Sequence, residues 1–126
     1  MKVLIVDDSK MMRVMHARSL RQIGYEVEVV EAGSGEEALP LMSADLDLVI
    51  VDWNMPGMDG LQLVEAVRAQ EAAAGARRLP FMMITSQSTD EQAQRAREAG
   101  IDSLLTKPVT PEAIGVALDM LLASRA

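Results

Sequence analysis

The chain contains no cysteine. Disulfides, thiolate catalysis and Cys-ligated metal centres are therefore excluded. It has one histidine, His16, which argues against a multi-histidine metal site and a serine-type triad. Basic residues are in deficit: 12 Lys and Arg stand against 19 Asp and Glu, for a formal net charge of −7. Such a surface repels phosphate backbones and anionic lipid, so direct binding to nucleic acid or to a membrane surface is disfavoured. Long apolar runs are missing too. The opening Met1-Lys2-Val3-Leu4-Ile5-Val6 meets Asp7-Asp8, too early for a signal segment, and no stretch approaches the ~20 apolar residues of a membrane span. The expectation is a soluble cytoplasmic protein, and 126 residues make one domain, 1–126, with no linker and no output domain.

Short apolar runs alternate with helical patterns. The runs cover residues 3–6, 27–30, 46–51, 79–84 and 101–105. They are rich in aliphatic residues without clean polar alternation, as strands buried on both faces read. Between them lie helix signals. Ser9 can cap a helix that stops at Gly24. Ser34 with Glu37 has capping-box spacing, as does Ser88 with Glu91. Asp59 can cap a helix ending near Gly75, and Thr110-Pro111 forms an N-cap and N1 pair. Five βα repeats imply an α/β fold, a five-stranded parallel sheet with helices on both faces. Pro40 falls inside the second helix and predicts a kink. The fourth helix offers mainly Ala93, Ala96 and Ala99 as its apolar stripe, so weak anchoring is expected. On the first helix, Met12, Met15, His16, Ser19, Leu20 and Ile23 share one side, which leaves Met11 and Val14 outward and His16 at the core or its boundary. The ten methionines read mostly as adaptable core filler.

Four strands end in polar residues with chemical potential: Asp7-Asp8, Asp52, Thr85-Ser86 and Thr106-Lys107. In an open parallel sheet all strand C-termini share one edge, where ligands bind at the reversal of winding. Three carboxylates, a hydroxyl and an ammonium thus converge. Two carboxylates ~4 Å apart repel by about 4 kcal/mol at a surface-like effective dielectric, so a cation is required. A hard divalent ion fits, Mg²⁺ best, because it accepts one or two carboxylates and leaves positions for water and phosphate. A carboxylate in this setting is a competent nucleophile for phosphoryl transfer. Lys107 and the Thr85 hydroxyl can take up phosphoryl oxygens.

The segments Val3-Leu4-Ile5-Val6-Asp7-Asp8-Ser9, Val51-Asp52-Trp53-Asn54-Met55-Pro56-Gly57-Met58-Asp59-Gly60, Ile84-Thr85-Ser86 and Leu105-Thr106-Lys107-Pro108 resemble, in this order and spacing, the receiver domains of two-component response regulators. The segment from Asp52 to Gly60 is most similar to that of chemotaxis-type single-domain receivers. The resemblance implies a flavodoxin-like (βα)5 fold with strand order 2-1-3-4-5. It implies Asp52 as phosphoacceptor, Asp7 and Asp8 as organisers of Mg²⁺, and Asp8, Asp52 and the Asn54 backbone carbonyl as its ligands. It further implies Thr85 as the switch hydroxyl, Lys107 as partner of the phosphoryl oxygens, and a cis bond from Lys107 to Pro108. The phosphodonor would be a phosphohistidine on a sensor histidine kinase or histidine phosphotransfer protein. A downstream protein effector would bind the fourth helix, fifth strand and fifth helix. Many receivers carry Tyr or Phe three residues before the site lysine. Here that residue is Leu104, with neither ring nor hydroxyl, so that feature does not carry over. Asn54 and Gln87 flank the approach of water to the phosphoryl group, which predicts self-hydrolysis over seconds to minutes.

Three alternatives stay open. Within the receiver reading, the protein acts on a partner, passes its phosphate along a relay, or serves as a phosphate sink. An aspartyl-phosphate phosphohydrolase would commonly carry a second acid two residues after the nucleophile, where Asn54 stands. A flavin or nucleotide binder would need a Gly/Ser/Thr-rich phosphate loop in place of Asp7-Asp8. The chain thus reads as a signalling receiver and not an enzyme.

Overall fold

The computed structural model describes residues 1–86 and 88–124. In chain order the elements are β1 (Lys2–Val6), α1 (Lys10–Gln22), β2 (Glu28–Ala32), α2 (Gly35–Ala38), a 3-10 turn (Leu39–Leu41), β3 (Leu48–Asp52), α3 (Gly60–Ala74), β4 (Phe81–Thr85), α4 (Asp90–Ala99), β5 (Ser103–Thr106) and α5 (Pro111–Ser124). The strands form one parallel sheet in the order β2-β1-β3-β4-β5, the expected topology. Each strand alternates its side chains between two helical layers. Leu4, Val6, Val49, Val51, Phe81 and Met83 face Leu63, Val64 and Val67 of α3 and Ala96 of α4. Val3, Ile5, Leu48, Ile50, Met82 and Ile84 face Ala17 and Leu20 of α1 and Ile114, Leu118 and Leu121 of α5. β3 and β4 are buried along their whole length, which is why their sequences lack polar alternation. Among the described residues no helix is long and apolar enough to cross a membrane.

Several local readings hold. The Ser9 side chain accepts from Met12 N and caps α1. Asp59 and Gln62 complete a capping box on α3, and Gly75 closes that helix at φ 63°. The Ala113 amide donates to the Thr110 hydroxyl at 3.1 Å at the start of α5. The peptide bond from Lys107 to Pro108 is cis.

Others are corrected. The box at α4 is formed by Thr89 and Gln92, not Ser88 and Glu91. Two overlapping sets share the spacing, and a neutral Gln side chain returns the bond to the cap amide as well as Glu does. Pro40 does not kink α2. The helix stops at Ala38 and tightens into the 3-10 turn, since a ring lacking N–H cannot continue the ladder. On α1 the inward residues are His16, Ala17 and Leu20; Met15 is 49% exposed, because a smaller stripe suffices where α1 packs closely on the sheet. Leu46, Leu79 and Ile101 are buried but precede their strands. The Leu46 carbonyl accepts from Arg77 Nη2 at 2.7 Å. The Ile101 amide donates to Ala96 O at 3.0 Å, so it belongs to the end of α4 instead of to β5.

α4 is held unevenly. Ala96 is its only buried residue, and alanine gains little of the roughly 2 kcal/mol that burial of a leucine-sized side chain contributes. Its C-terminal end is fixed by Arg68, whose Nε and Nη2 donate to Gly100 O at 3.1 and 2.8 Å. Arg78 Nη2 adds a bond to the same carbonyl at 3.1 Å.

Gly60 joins the site to the packing beneath it. A Cβ there would lie 2.5 Å from the Asp52 carbonyl oxygen and 3.0 Å from Trp53 Cα, both backbone atoms that cannot swing aside. Gly60→Ala is expected to destabilise the fold by about 1–3 kcal/mol, the usual cost of overpacking. Urea unfolding checks this; an unchanged midpoint would show that α3 can shift away from β3 without penalty.

Candidate functional site

The C-terminal ends of β1, β3, β4 and β5 deliver the polar residues in register. Val6 pairs with Val51, Asp52 with Ile84 and Thr85 with Thr106. Backbone bonds continue past the strands: Trp53 N donates to Ile84 O at 2.9 Å, and Lys107 N to Thr85 O at 2.8 Å. The sheet therefore fixes where each site side chain begins.

Asp7, Asp8 and Asp52 come together, with one carboxylate oxygen from each within 4.8 Å of the others. Asp7 and Asp52 are buried and Asp8 is exposed, so the cluster opens to solvent at Asp8. Asp7 Oδ1 accepts from Ser9 N at 2.9 Å. Asp7 Oδ2 and Asp52 Oδ1 are buried without a hydrogen-bond partner. Lys107 Nζ lies 3.3 Å from Asp52 Oδ1, an ion pair without good hydrogen-bond alignment. Thr85 is buried beside this group at the end of β4. Asn54 is exposed, with Nδ2 3.5 Å from Ser86 Oγ. Gln87 lies outside the described residues.

Burial pushes the Asp7 carboxyl above its ordinary value, and the Ser9 amide offsets this in part. Burial likewise raises Asp52, opposed by the Lys107 ammonium. Both sites hold negative charge at a cost when no cation is present. Two buried carboxylate oxygens that accept no hydrogen bond, beside an exposed third carboxylate, suit a hard, oxygen-seeking divalent cation that keeps part of its water shell. The residues present fit such an ion.

Two supporting residues were not foreseen. Arg13 Nη1 donates to the Asp7 backbone carbonyl at 2.6 Å while its Nε pairs with Glu31 at 2.8 Å. Glu36 Oε1 accepts from Met58 N at 2.8 Å. No local spacing announces either contact, since each joins residues from different elements. Arg95 of α4 places its guanidinium 5.9 Å from the Trp53 ring centre, next to Asp52 in the chain. Leu104 is half-buried against the same apolar layer as Trp53.

These features define a class. The chain matches the family described as response regulator receiver domain over residues 3–119, and it belongs to that family. It is 40% identical to chemotaxis protein CheY-3 of Vibrio cholerae over 94% of this chain and 89% of that protein. It is 39% identical to chemotaxis protein CheY1 of Helicobacter pylori over 97% of each. The solved structure of chemotaxis protein CheY4 of Vibrio cholerae superposes with a TM-score of 0.79 at 38% identity, covering 94% of this chain and 96% of that one. The chain is thus a receiver homologous to the CheY chemotaxis proteins, from a family of signalling proteins.

His16 is 4% exposed on the inner side of α1, and burial lowers its pKa to about 4, with the Lys107 charge adding to the effect. A depressed histidine contributes stability that is present above the unfolded value of 6.5 and lost as pH falls toward 4. Two and a half units correspond to on the order of 3 kcal/mol at most. Asp7 and Asp52, both raised, act with the opposite sign and add stability as pH falls through their folded values toward the ordinary 3.8. In chelator, His16→Leu should therefore flatten the loss of melting temperature between about pH 6.5 and 4. Equal slopes in both proteins would mean that His16 titrates freely in the fold.

Proposed function

We propose that Asp52 accepts a phosphoryl group from a phosphohistidine and that the resulting aspartyl phosphate changes what the protein binds. The observation that carries this is Asp52 itself: a buried carboxylate whose Oδ1 is ion-paired with Lys107 at 3.3 Å and which shares a cluster with Asp7 and Asp8. In the transfer, an Asp52 oxygen forms the bond to phosphorus as the histidine nitrogen–phosphorus bond breaks, and the electron pair leaves with the imidazole. Lys107 moves from the Asp52 carboxylate to a phosphoryl oxygen and holds it by a charge-assisted bond. The Thr85 hydroxyl donates to another. Asp7, Asp8, Asp52 and the Asn54 carbonyl would hold Mg²⁺. When bound, Mg²⁺ neutralises charge on the carboxylates and on the transferring group.

The reading extends to partners. The donor is a sensor histidine kinase or a histidine phosphotransfer protein, and the setting is cytoplasmic. The effector surface is α4, β5 and α5. In support, α4 is fixed at its Gly100 end and holds little apolar anchorage elsewhere, so its other end is free to respond to Thr85. Val116 and Met120 of α5 are 63% and 70% exposed, apolar area that a protein partner can cover.

Acetyl phosphate with Mg²⁺ should place one acid-labile phosphate on the protein and change the emission of Trp53. Asp52→Asn should abolish both. Acid-stable phosphate, or unchanged labelling in the variant, would refute the assignment. Mg²⁺ should also raise the melting temperature, by an amount equivalent to about 1.4 kcal/mol at ten times Kd. Asp8→Ala should lose most of that rise; equal rises in both proteins would remove the metal from this site.

A further inference from the structure

We propose that Glu36 is a positioning residue for the metal and phosphoryl site, acting by tethering the β3–α3 loop that carries Asn54. This rests on the receiver reading above. The loop, residues 54–59, leaves the buried end of β3 and returns at Gly60, whose amide donates to Trp53 O at 2.9 Å. Between those points Asn54, Pro56 and Gly57 are exposed, while Met55 is buried. The loop's one long-range backbone bond among the described residues is the 2.8 Å bond from the Met58 amide to Glu36 Oε1. Two further contacts bring the same surfaces together. Gly57 stands at φ 73°, and a Cβ there would come within 3.1 Å of Glu36 Oε1. Gly35 is buried under the Met58 side chain, where a Cβ would meet Cγ at 2.8 Å. The Met58 side chain in turn packs on the core layer that includes Trp53.

α2 is thus built around this contact. It is one turn long, capped by Ser34 and ended before Pro40. Glu37 bonds within its own segment, where Oε2 accepts from Gly33 N at 2.6 Å, so of the two adjacent glutamates Glu36 is the one that reaches the β3–α3 loop. Glu36 is exposed and fills no part of the core, so its worth to the protein lies in what it orders. Asn54 stands four residues before Met58 in this loop, and its carbonyl is the proposed cation ligand, so holding Met58 restricts where that carbonyl can lie. Partners that orient ligands in this way typically change metal affinity by about 10-fold or more when removed.

The test compares Glu36→Gln with Glu36→Ala, since the amide oxygen of Gln can still accept from Met58 N while the charge is gone. In the metal-free protein, Met58 amide exchange should speed up at least several-fold in Glu36→Ala and change little in Glu36→Gln. Titration with MgCl₂, followed by Trp53 emission, should give a Kd about 10-fold weaker in Glu36→Ala and within about 3-fold of wild type in Glu36→Gln. Equal losses in both variants would show a bare charge effect and overturn the proposal. Unchanged exchange and affinity in Glu36→Ala would overturn it too. If the wild-type protein itself binds no Mg²⁺, the receiver-site reading fails, while the Met58 exchange ratio still decides whether Glu36 tethers the loop.

Discussion

The structure turns on charge crowding at the C-terminal edge of a parallel sheet. Topology places the ends of β1 and β3 side by side, and an aspartate stands at the end of β3 and directly after β1. Asp7 and Asp52 are buried there with carboxylate oxygens that no hydrogen bond satisfies, next to Asp8. Among the described residues Lys107 is the cation paired with Asp52, and one ammonium does not balance three carboxylates. Burial raises the pKa of both Asp7 and Asp52, and the neighbouring carboxylates add to the shift. Two complete apolar layers, one on each face of the sheet, supply the stability against which this local cost is held. What makes the edge unfavourable in the empty protein is what gives a cation and a phosphoryl group something to gain there.

The surroundings divide into parts that hold and parts that yield. Ladder bonds run past the strands to Trp53 and Lys107, and Gly60 lets α3 press directly on the Asp52 backbone. Arg68 stacks on Phe81 at 5.0 Å while it bonds the end of α4 and pairs with Asp102, so one guanidinium ties α3, β4 and the entry to β5. The opposite end of α4 has a local capping box and no buried residue, since the single buried alanine, Ala96, lies in the half nearer Gly100. Arg95 near Trp53 is its lateral contact with the segment after Asp52. On the proposed function, with Leu104 at the position where many receivers carry an aromatic ring, a response in α4 would run through Thr85 and this lightly held end.

The strands and the site were readable because their signals are local and redundant. Aliphatic runs ending in Asp, Thr or Lys mark both the buried strand and its polar terminus, and Asp7, Asp8, Asp52, Thr85 and Lys107 do converge as that pattern requires. Readings failed where the third dimension chose among equals. Ser88 and Thr89 both fit a cap, and the backbone took Thr89. Met15 and Ala17 both border the inner stripe of α1, and close packing on the sheet selected the smaller. Pro40 could bend or end a helix; one turn of α2 had too few bonds to survive the missing N–H. Glu36 and Arg13 lay beyond local reasoning, because their partners are 22 and 6 residues away and belong to other segments.

The central claim is that Asp7 and Asp52 repel each other in the empty protein and are reconciled by a divalent cation. A double-mutant cycle with Asp7→Asn and Asp52→Asn, read as unfolding free energy, measures this directly. In chelator, each single variant should be more stable than wild type, and the second substitution should gain less than the first, with a coupling on the order of 1 kcal/mol. In excess Mg²⁺ both single variants should instead be less stable than wild type. Additive effects in chelator, unchanged by Mg²⁺, would contradict the account.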